Sequence, residues 1–373
     1  MLSRLKRTID WTLFAAVIPL LGAGLFTMNA FVGDNYYFVR QSVWIGISLV
    51  AFFACSFVDW RFLKRGELLA ILLGAVSLVL VGLIVVGNTV RGVSSWLSFG
   101  GISLQPADFT KLLLIIILAK YFSRRHIEIA NIRHIIVSGI YALIPFVLVF
   151  LQPDFGSAII IFCIWLGMIV VSGVSKKHLL VVFFVGMTAF AILWASVLRP
   201  YQKTRILSFL DPAADVRGAG YNAFQSQIAV GSGQIWGKGV WYGTQSRLKF
   251  LPEYQTDFVF AAFAEEWGFV GVIFVFISFG IVIWRILANS LIAPSNFEML
   301  FGVGVVVYLM SHFIIHVGMN SGLLPVTGIP LPFLSYGGSH LLAEFTGLGM
   351  LMGMRRYSRA AHRDDMRNEF LGI

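Results

Sequence analysis

The stretch LPEYQTDFVFAAFAEEWGFVGVIFVFISFG, residues 251–280, decides how the rest of the chain must be read. Its second half is as apolar as lipid, yet its first half carries Glu253, Asp257, Glu265 and Glu266. An apolar run of roughly 20 residues is the length that crosses a bilayer. A charge at the mouth of such a run is costly unless it is paired, hydrated or functional. The whole chain has the same character. It is 58% hydrophobic and 12% charged, against about 25% charged residues in a soluble domain, and its mean hydropathy is +0.84. No soluble fold could hide that much apolar surface, so the bilayer is the solvent.

Working outward from 251–280, apolar runs centre near 11–32, 41–58, 67–87, 107–122, 135–151, 155–173, 178–198, 258–285, 297–318 and 339–354. The expected fold is therefore an all-α polytopic membrane protein of about ten transmembrane helices. The first run is too long for a signal-peptide core and reads as a retained span. Lys and Arg set the orientation. With both termini cytoplasmic, most of the 28 Lys and Arg fall on the inner side, among them Arg4, Arg61, Lys120, Arg124, Lys176, Arg285 and Arg355. The net charge of +10 is then largely a topology signal, and nucleic acid is not expected as a partner. Cys55 and Cys163 lie inside apolar runs and read as small core residues, without disulfide or metal spacing. No repeated halves and no soluble domain are visible. The chain reads as one membrane domain, 1–373, with one long extracytoplasmic loop at 199–257.

That loop is rich in Tyr, Phe, Trp and Leu, so it should pack on the membrane surface rather than stay disordered. Helical spacing predicts a short amphipathic helix near 221–230. The glycines of GSGQIWGKG would let backbone N–H groups approach an anion, although the Walker spacing is absent. Taken alone, these are the features of an ordinary surface loop.

The order of several blocks is more specific. YQKTRILSFLDP (201–212), GAGY (218–221), QSQIAVGSG (225–233), GKG (237–239) and GTQSRLKFLPEYQTDFVFAAFAEEWG (243–268) resemble consecutive blocks of the SEDS family, the shape, elongation, division and sporulation proteins. Three further blocks agree: WLSFGGISLQPADFTKL (96–112), QPDFGSA (152–158) and NSGLLPVTGIPLPFLSYGGS (320–339). The GTQS block is more like RodA than FtsW. The resemblance covers nearly the whole chain in the expected order. It implies a ten-helix glycosyltransferase of the bacterial cytoplasmic membrane that polymerises lipid II into peptidoglycan strands. Four positions depart from the pattern. Asp108 stands where Glu is usual, Ser95 precedes Trp96 where a basic residue is common, and His316 and His340 replace an expected Asn and a small residue.

Asp257 opens the eighth span. An acid in a first helical turn serves the dipole, worth about 0.3–1 kcal/mol. The resemblance carries the family's essential acid onto this position and implies a general base for a sugar hydroxyl. Glu253 would orient a cation or the sugar, or pair within the loop. Glu265 lies roughly 12 Å deeper along the helix and reads as the structural partner of a Lys or Arg. Lys111 and Asp108 share a helical face three residues apart, with Asp154 in a short outer turn as a helix cap or as cavity lining. Arg205, Lys238 and Lys249 are candidates to hold pyrophosphate. Gly337 and Gly338 at a helix start could offer N–H groups to an anion. Ser335 is a hydrogen-bonding group with no base beside it. His312 and His316, at i and i+4, are read as packed or hydrogen-bonded residues, and no metal site is assigned.

The implied mechanism is direct displacement. Asp257 takes the acceptor's proton and undecaprenyl pyrophosphate leaves, its charge balanced by Arg and Lys with or without a divalent cation (Mg or Mn). The lipid tail would lie in a groove between helices. The resemblance also implies a class B penicillin-binding protein as partner. A lipid II flippase or transporter is the alternative. Repeats and midplane sites would mark it, whereas the acids here cluster at the outer face.

Overall fold

The computed structural model describes residues 9–29, 35–86, 88–90, 93–99, 102–123, 132–198, 200–211, 218–248 and 250–371. The long helices among them are α1 (Trp11–Met28), α2 (Tyr36–Phe57), α3 (Gly66–Val86), α4 (Pro106–Ser123), α5 (Ile132–Leu151), α6 (Phe155–Val171), α7 (Lys176–Ile192), α10 (Val259–Leu291), α11 (Asn296–Asn320) and α12 (Gly338–Leu371). They coincide with the ten expected spans. Seven of them are long and apolar enough to cross a membrane by themselves. The other three are α6, which is shorter, and α4 and α12, which carry charge inside apolar runs. α12 packs along α2, α10 against α1 and α11, and α11 against α4 and α6. α4 is almost wholly enclosed, whereas no residue of α7 is buried.

Between α3 and α4 the chain forms an antiparallel three-stranded sheet, β1 (Asn88–Val90), β2 (Val93–Phe99) and β3 (Ile102–Leu104). Its register pairs Val90 with Val93 and Leu97 with Leu104. The long segment before α10 also folds. It holds α8 (Pro200–Leu210), α9 (Ala219–Ser232) and a single turn at Thr244–Arg247. α9 contains the predicted amphipathic helix. α8 begins at Pro200, whose missing N–H costs nothing at a first helical position.

α10 is interrupted at Gly268, where φ is +62 and ψ −165. The interruption is filled by the turn that follows α9. The Lys238 and Gly239 amides donate to the carbonyls of Glu265 (2.9 Å) and Glu266 (3.0 Å), and the Phe269 and Val270 amides donate to those of Gln234 (2.9 Å) and Ile235 (3.1 Å). Backbone groups released by the break are thus paired by the loop, which an apolar environment requires. A Cβ at Gly268 would collide with the Gly237 amide and the Ile235 carbonyl. The kink and the loop are one structure.

The opposite end of the bundle is closed by Asp10. Its Oδ2 accepts from Arg285 Nε (2.9 Å), Arg285 Nη2 (2.5 Å) and Asn289 Nδ2 (2.7 Å), while Oδ1 caps the amides of Thr12 and Leu13. Arg355 of α12 stands 3.5 Å away. One carboxylate therefore ties α1, α10 and α12 together.

Candidate active site

At the end of the bundle that carries the sheet and the α8–α9 segment, a cavity of about 630 Å³ opens between them. The sheet, the start of α4, the turn before α6, α8, residues 253–257 and the loop between α11 and α12 all contribute to its wall.

Asp257 lies on this wall and is partly buried. It does not sit in the first turn of α10: the helix begins at Val259 behind Phe258, and no side chain caps it from the cap position. Its placement comes from the backbone before it. Glu253 adopts φ +52, and the amides of Thr256 (3.1 Å), Asp257 (3.0 Å) and Phe258 (3.3 Å) converge on its carbonyl. A non-glycine residue in this region is strained, typically by 1–3 kcal/mol, and persists where its surroundings over-determine it. The surroundings do so. The Gln255 carbonyl accepts from the Tyr336 amide (2.8 Å), the Thr256 carbonyl from Ser335 Oγ (2.8 Å), and the Asp257 carbonyl from Asn320 Nδ2 (3.0 Å). Three consecutive carbonyls are pinned from the α11–α12 region, and the Asp257 carboxylate is left beside Gly328, where a Cβ would come within 3.4 Å of Oδ2. Burial, reinforced by Tyr37 and Glu253, pushes the neighbouring Tyr254 phenol up to about 12, so it stays neutral.

Lys111 and Asp108 form a buried ion pair at 3.0 Å, and both line the cavity. Asp108 Oδ2 also accepts from Ser339 Oγ (2.9 Å). His340 Nδ1 is 3.7 Å from Asp108 Oδ1, and its Nε2 is 2.9 Å from Glu344 Oε1. Asp154 combines both of its expected roles. It caps α6 through the Ser157 amide (3.0 Å) and accepts from Gln105 Nε2 (2.6 Å) while facing the cavity. Arg205 of α8 reaches the same space, as does Glu253.

Other expected site residues stand elsewhere or are already engaged. Lys238 does not line the cavity; it pairs with Glu265 at 2.6 Å and donates to Thr244 Oγ1 (2.7 Å). Glu265 is fully buried and also receives the amides of Thr244 and Gln245, so this acid holds the loop onto α10. Lys249 lies outside the described residues. The Ser335 hydroxyl donates to the Thr256 carbonyl and accepts from the Leu331 amide (2.8 Å), a wholly internal role. The Gly337 amide donates to Gln41 Oε1 (3.3 Å) rather than pointing to an anion. Gly338 is required by packing, because a Cβ there would overlap the Trp44 indole. His312 and His316 donate through Nδ1 to the carbonyls of Pro330 (3.2 Å) and Ile329 (2.6 Å). No group of three His, Cys, Asp or Glu able to hold a metal ion occurs among the described residues.

With this geometry in place, the relatives can be set beside it. The family of cell cycle proteins FtsW, RodA and SpoVE matches residues 5–360. The chain belongs to that family. It is 36% identical over 330 residues to stage V sporulation protein E of Bacillus subtilis, covering 87% of this chain and 89% of that protein. It is 34% identical over 282 residues to the peptidoglycan glycosyltransferase MrdB of Escherichia coli K12, covering 76% of each. Its fold matches the solved RodA of Thermus thermophilus with a TM-score of 0.71 and 29% identity, over 94% of this chain and 97% of that one. A solved structure concerning polymerization and crosslinking by a peptidoglycan synthase complex matches with a TM-score of 0.80 and 31% identity, over 94% and 98%. Like the rest of the FtsW, RodA and SpoVE family, this is a multi-pass protein of the bacterial cytoplasmic membrane.

Sequence reasoning did not single out Asn320, Ser339, Glu344 or Gln105 as parts of the site. Asn320 opens the NSG block and Glu344 interrupts an apolar run four residues after His340, so both left a trace in the sequence. Ser339 and Gln105 also lie in the quoted blocks, but their partners are remote in sequence and nothing local pointed to them.

Proposed function

We propose that this chain is a glycosyltransferase that polymerises lipid II into peptidoglycan strands at the outer leaflet, in the RodA-like branch that serves elongation and shape. One observation carries the reading. Asp257 stands on the wall of a cavity lined also by Lys111 and Arg205, with its own carbonyl and the two before it pinned from another part of the chain. A base on a backbone held that firmly, in one cavity with cations, suits the attack of a sugar hydroxyl on an anomeric carbon that bears a pyrophosphate.

In this mechanism the acceptor hydroxyl gives its proton to Asp257 as its oxygen bonds to C1 of the donor. The C1–O bond to phosphate breaks, undecaprenyl pyrophosphate departs, and C1 inverts. General-base assistance of this kind contributes about 10²–10⁴ in rate. Arg205 can grip the departing phosphate with two parallel N–H groups, and Lys111, shared with Asp108, adds a point charge. The carboxylates of this wall suit a divalent cation shared with substrate phosphates better than an all-protein cage. Glu253, which faces the cavity, would hold Mg or Mn together with substrate phosphate oxygens and leave Asp257 to act as the base; the ion would supply positive charge at the leaving group. A class B penicillin-binding protein is the proposed partner, supported by the fold match to a synthase complex that couples polymerization with crosslinking.

The test is polymerisation of purified lipid II by the detergent-solubilised protein with that partner, whose transpeptidase site is blocked. Asp257→Ala should lose at least about 10²-fold in rate while keeping its melting temperature. Undiminished polymer from Asp257→Ala would place the base elsewhere. Inactivity of the wild type, with lipid translocation in its place, would replace the reading by a flippase.

A further inference from the structure

One part of the cavity wall has no role in the chemistry above. Where α2 meets the loop before α12, the lining is aromatic: Tyr37, Trp44 and Tyr336 face the cavity together with Arg40. The rings of Tyr37 and Tyr336 meet edge to face at 5.0 Å, and Tyr36 packs on Tyr37 at 5.2 Å. The Arg40 guanidinium lies over the Tyr36 ring, 4.4 Å from its centre, and also reaches the Tyr336 phenol. Gln41 fixes the two elements together. Its Nε2 donates to the Ser335 carbonyl (3.2 Å) and its Oε1 accepts from the Gly337 amide (3.3 Å). Gly338 has no side chain, and the Trp44 indole lies directly on its backbone.

We infer that this wall is a saccharide-binding platform, on which Tyr37, Tyr336 and Trp44 contact an amino-sugar ring and Arg40 takes an anionic group of the same substrate. Tyr and Trp are common at membrane interfaces because their amphipathic rings sit at headgroup level. A belt residue of that kind faces lipid. These residues instead line a cavity that also holds Asp257, Asp154 and Lys111. Rigid aromatic rings with a few placed polar groups are the usual composition of a small-molecule site. A pyranose offers them a face of C–H groups and a rim of hydroxyls. Arg40, already stacked and oriented, supplies a fixed fork for a carboxylate or phosphate.

The platform is also coupled to the candidate base. The Tyr336 amide donates to the Gln255 carbonyl, and Ser335 Oγ to that of Thr256, so the loop bearing the ring is bonded to the two residues that precede Asp257. A sugar held by Tyr336 would be held in register with Asp257. The ligand class rests on the glycosyltransferase reading. The site itself rests on the rings, the cation and the cavity.

The sugar could belong to a growing strand or to a lipid-linked monomer, and two probes separate them. Saturation-transfer NMR on protein in nanodiscs would measure binding of a soluble β-1,4-linked N-acetylglucosamine tetramer and of lipid II. Binding of the tetramer places the strand on the platform, and binding of lipid II alone places the monomer there. In either case Tyr336→Ala and Tyr37→Ala should weaken it about tenfold, with Tyr37→Phe and Tyr336→Phe close to wild type. Arg40→Gln should weaken binding of lipid II, which carries anionic groups, and leave that of the uncharged tetramer unchanged. Each variant is checked for an unchanged melting temperature. Asp257→Ala should bind as wild type does while failing to polymerise. Wild-type polymerisation with unaltered binding and KM in the alanine variants overturns the platform and leaves the glycosyltransferase. Saccharide binding that maps to these rings, without polymerisation by the wild type, does the reverse.

Discussion

Asn320 is the residue whose loss should do most damage without touching a reacting atom. Its side chain is fully buried at the end of α11. Nδ2 donates to the Asp257 carbonyl (3.0 Å) and to the His316 carbonyl (2.9 Å). Oδ1 accepts from the Ala261 amide (3.2 Å) and from Ser226 Oγ (3.3 Å). Ala261 is in the first turn of α10, where amides have no partner inside the helix. Because Phe258 supplies no cap, Asn320 caps α10 from a different helix. Asn320→Ala strands one buried amide and one buried carbonyl. Each costs about 1–3 kcal/mol. His316 keeps its helical bond and Ser226 keeps the Asn320 carbonyl (2.9 Å), so the sum is about 2–4 kcal/mol after partial relaxation. The same change frees the carbonyl that orients Asp257, and a misplacement near 1 Å can cost about 10² in rate. Ser226→Ala, which removes one neutral hydrogen bond, should cost only about 1 kcal/mol. The assay pairs thermal unfolding in detergent with lipid II polymerisation. A melting temperature several degrees lower and a kcat down about a hundredfold at unchanged KM are expected. Wild-type kcat in Asn320→Ala would refute the claim that this residue positions Asp257.

Three further outcomes follow from the same geometry. Gly268→Ala should destabilise the protein and expose the 233–243 loop to limited proteolysis, because the added Cβ meets the Gly237 amide at a left-handed φ; an unchanged cleavage pattern would show that the kink does not hold the loop. Lys238→Ala should cost about 3–5 kcal/mol by leaving the fully buried Glu265 without its cation, and replacing Glu265 by Gln as well should recover part of that loss; simple additivity of the two would break the pairing argument. At Asp10, burial raises the carboxyl, but donors from Arg285, Asn289 and the Leu13 amide outweigh it and hold it below its ordinary 3.8. A depressed folded value means that this stabilisation is complete above the unfolded value and is lost as pH falls through the folded one. The melting-temperature gap between wild type and Asp10→Asn should therefore be full at pH 7 and close below about pH 4; a gap that widens on acidification would contradict it.

Hydropathy made the spans legible because a bilayer imposes one length on every helix that crosses it. The same criterion was blind to the sheet. β2 is only seven residues long and does not alternate cleanly, so no strand period stands out against the apolar runs on either side. Asp257, Asp108, Lys111, Asp154, Arg205 and Glu253 all face the cavity; charge at the mouth of an apolar run drew attention to several of them, and the resemblance of the surrounding blocks pointed to the role of Asp257. Lys238 was misplaced for a physical reason. A lysine among glycines looks like an anion site, and nothing local shows that Gly268, thirty residues later, opens α10 to receive that loop and sets Glu265 against it. Gly337 failed in the same way, since the amide expected to meet an anion already meets Gln41.

The buried charges explain why those remote partners exist. Asp108, Lys111, His340 and Glu344 are all nearly inaccessible. A lone ion at such depth would be expelled or neutralised, and even a pair leaves lone pairs and protons to satisfy. Ser339 and the Phe333 amide (3.2 Å to Glu344 Oε2) meet part of that demand, and Tyr308 stands 3.2 Å from His340 Nδ1. These groups come from α4, α11, α12 and the loop before α12, so the cluster forms only when the four are assembled. Asp108 is one methylene shorter than the glutamate usual in the family, and His340 is larger than the small residue expected there. The short acid and the long base face each other at 3.7 Å. Two positions far apart along the chain thus meet at one carboxylate, and Asp108 holds Lys111 at the edge of the cavity where the proposed pyrophosphate would lie.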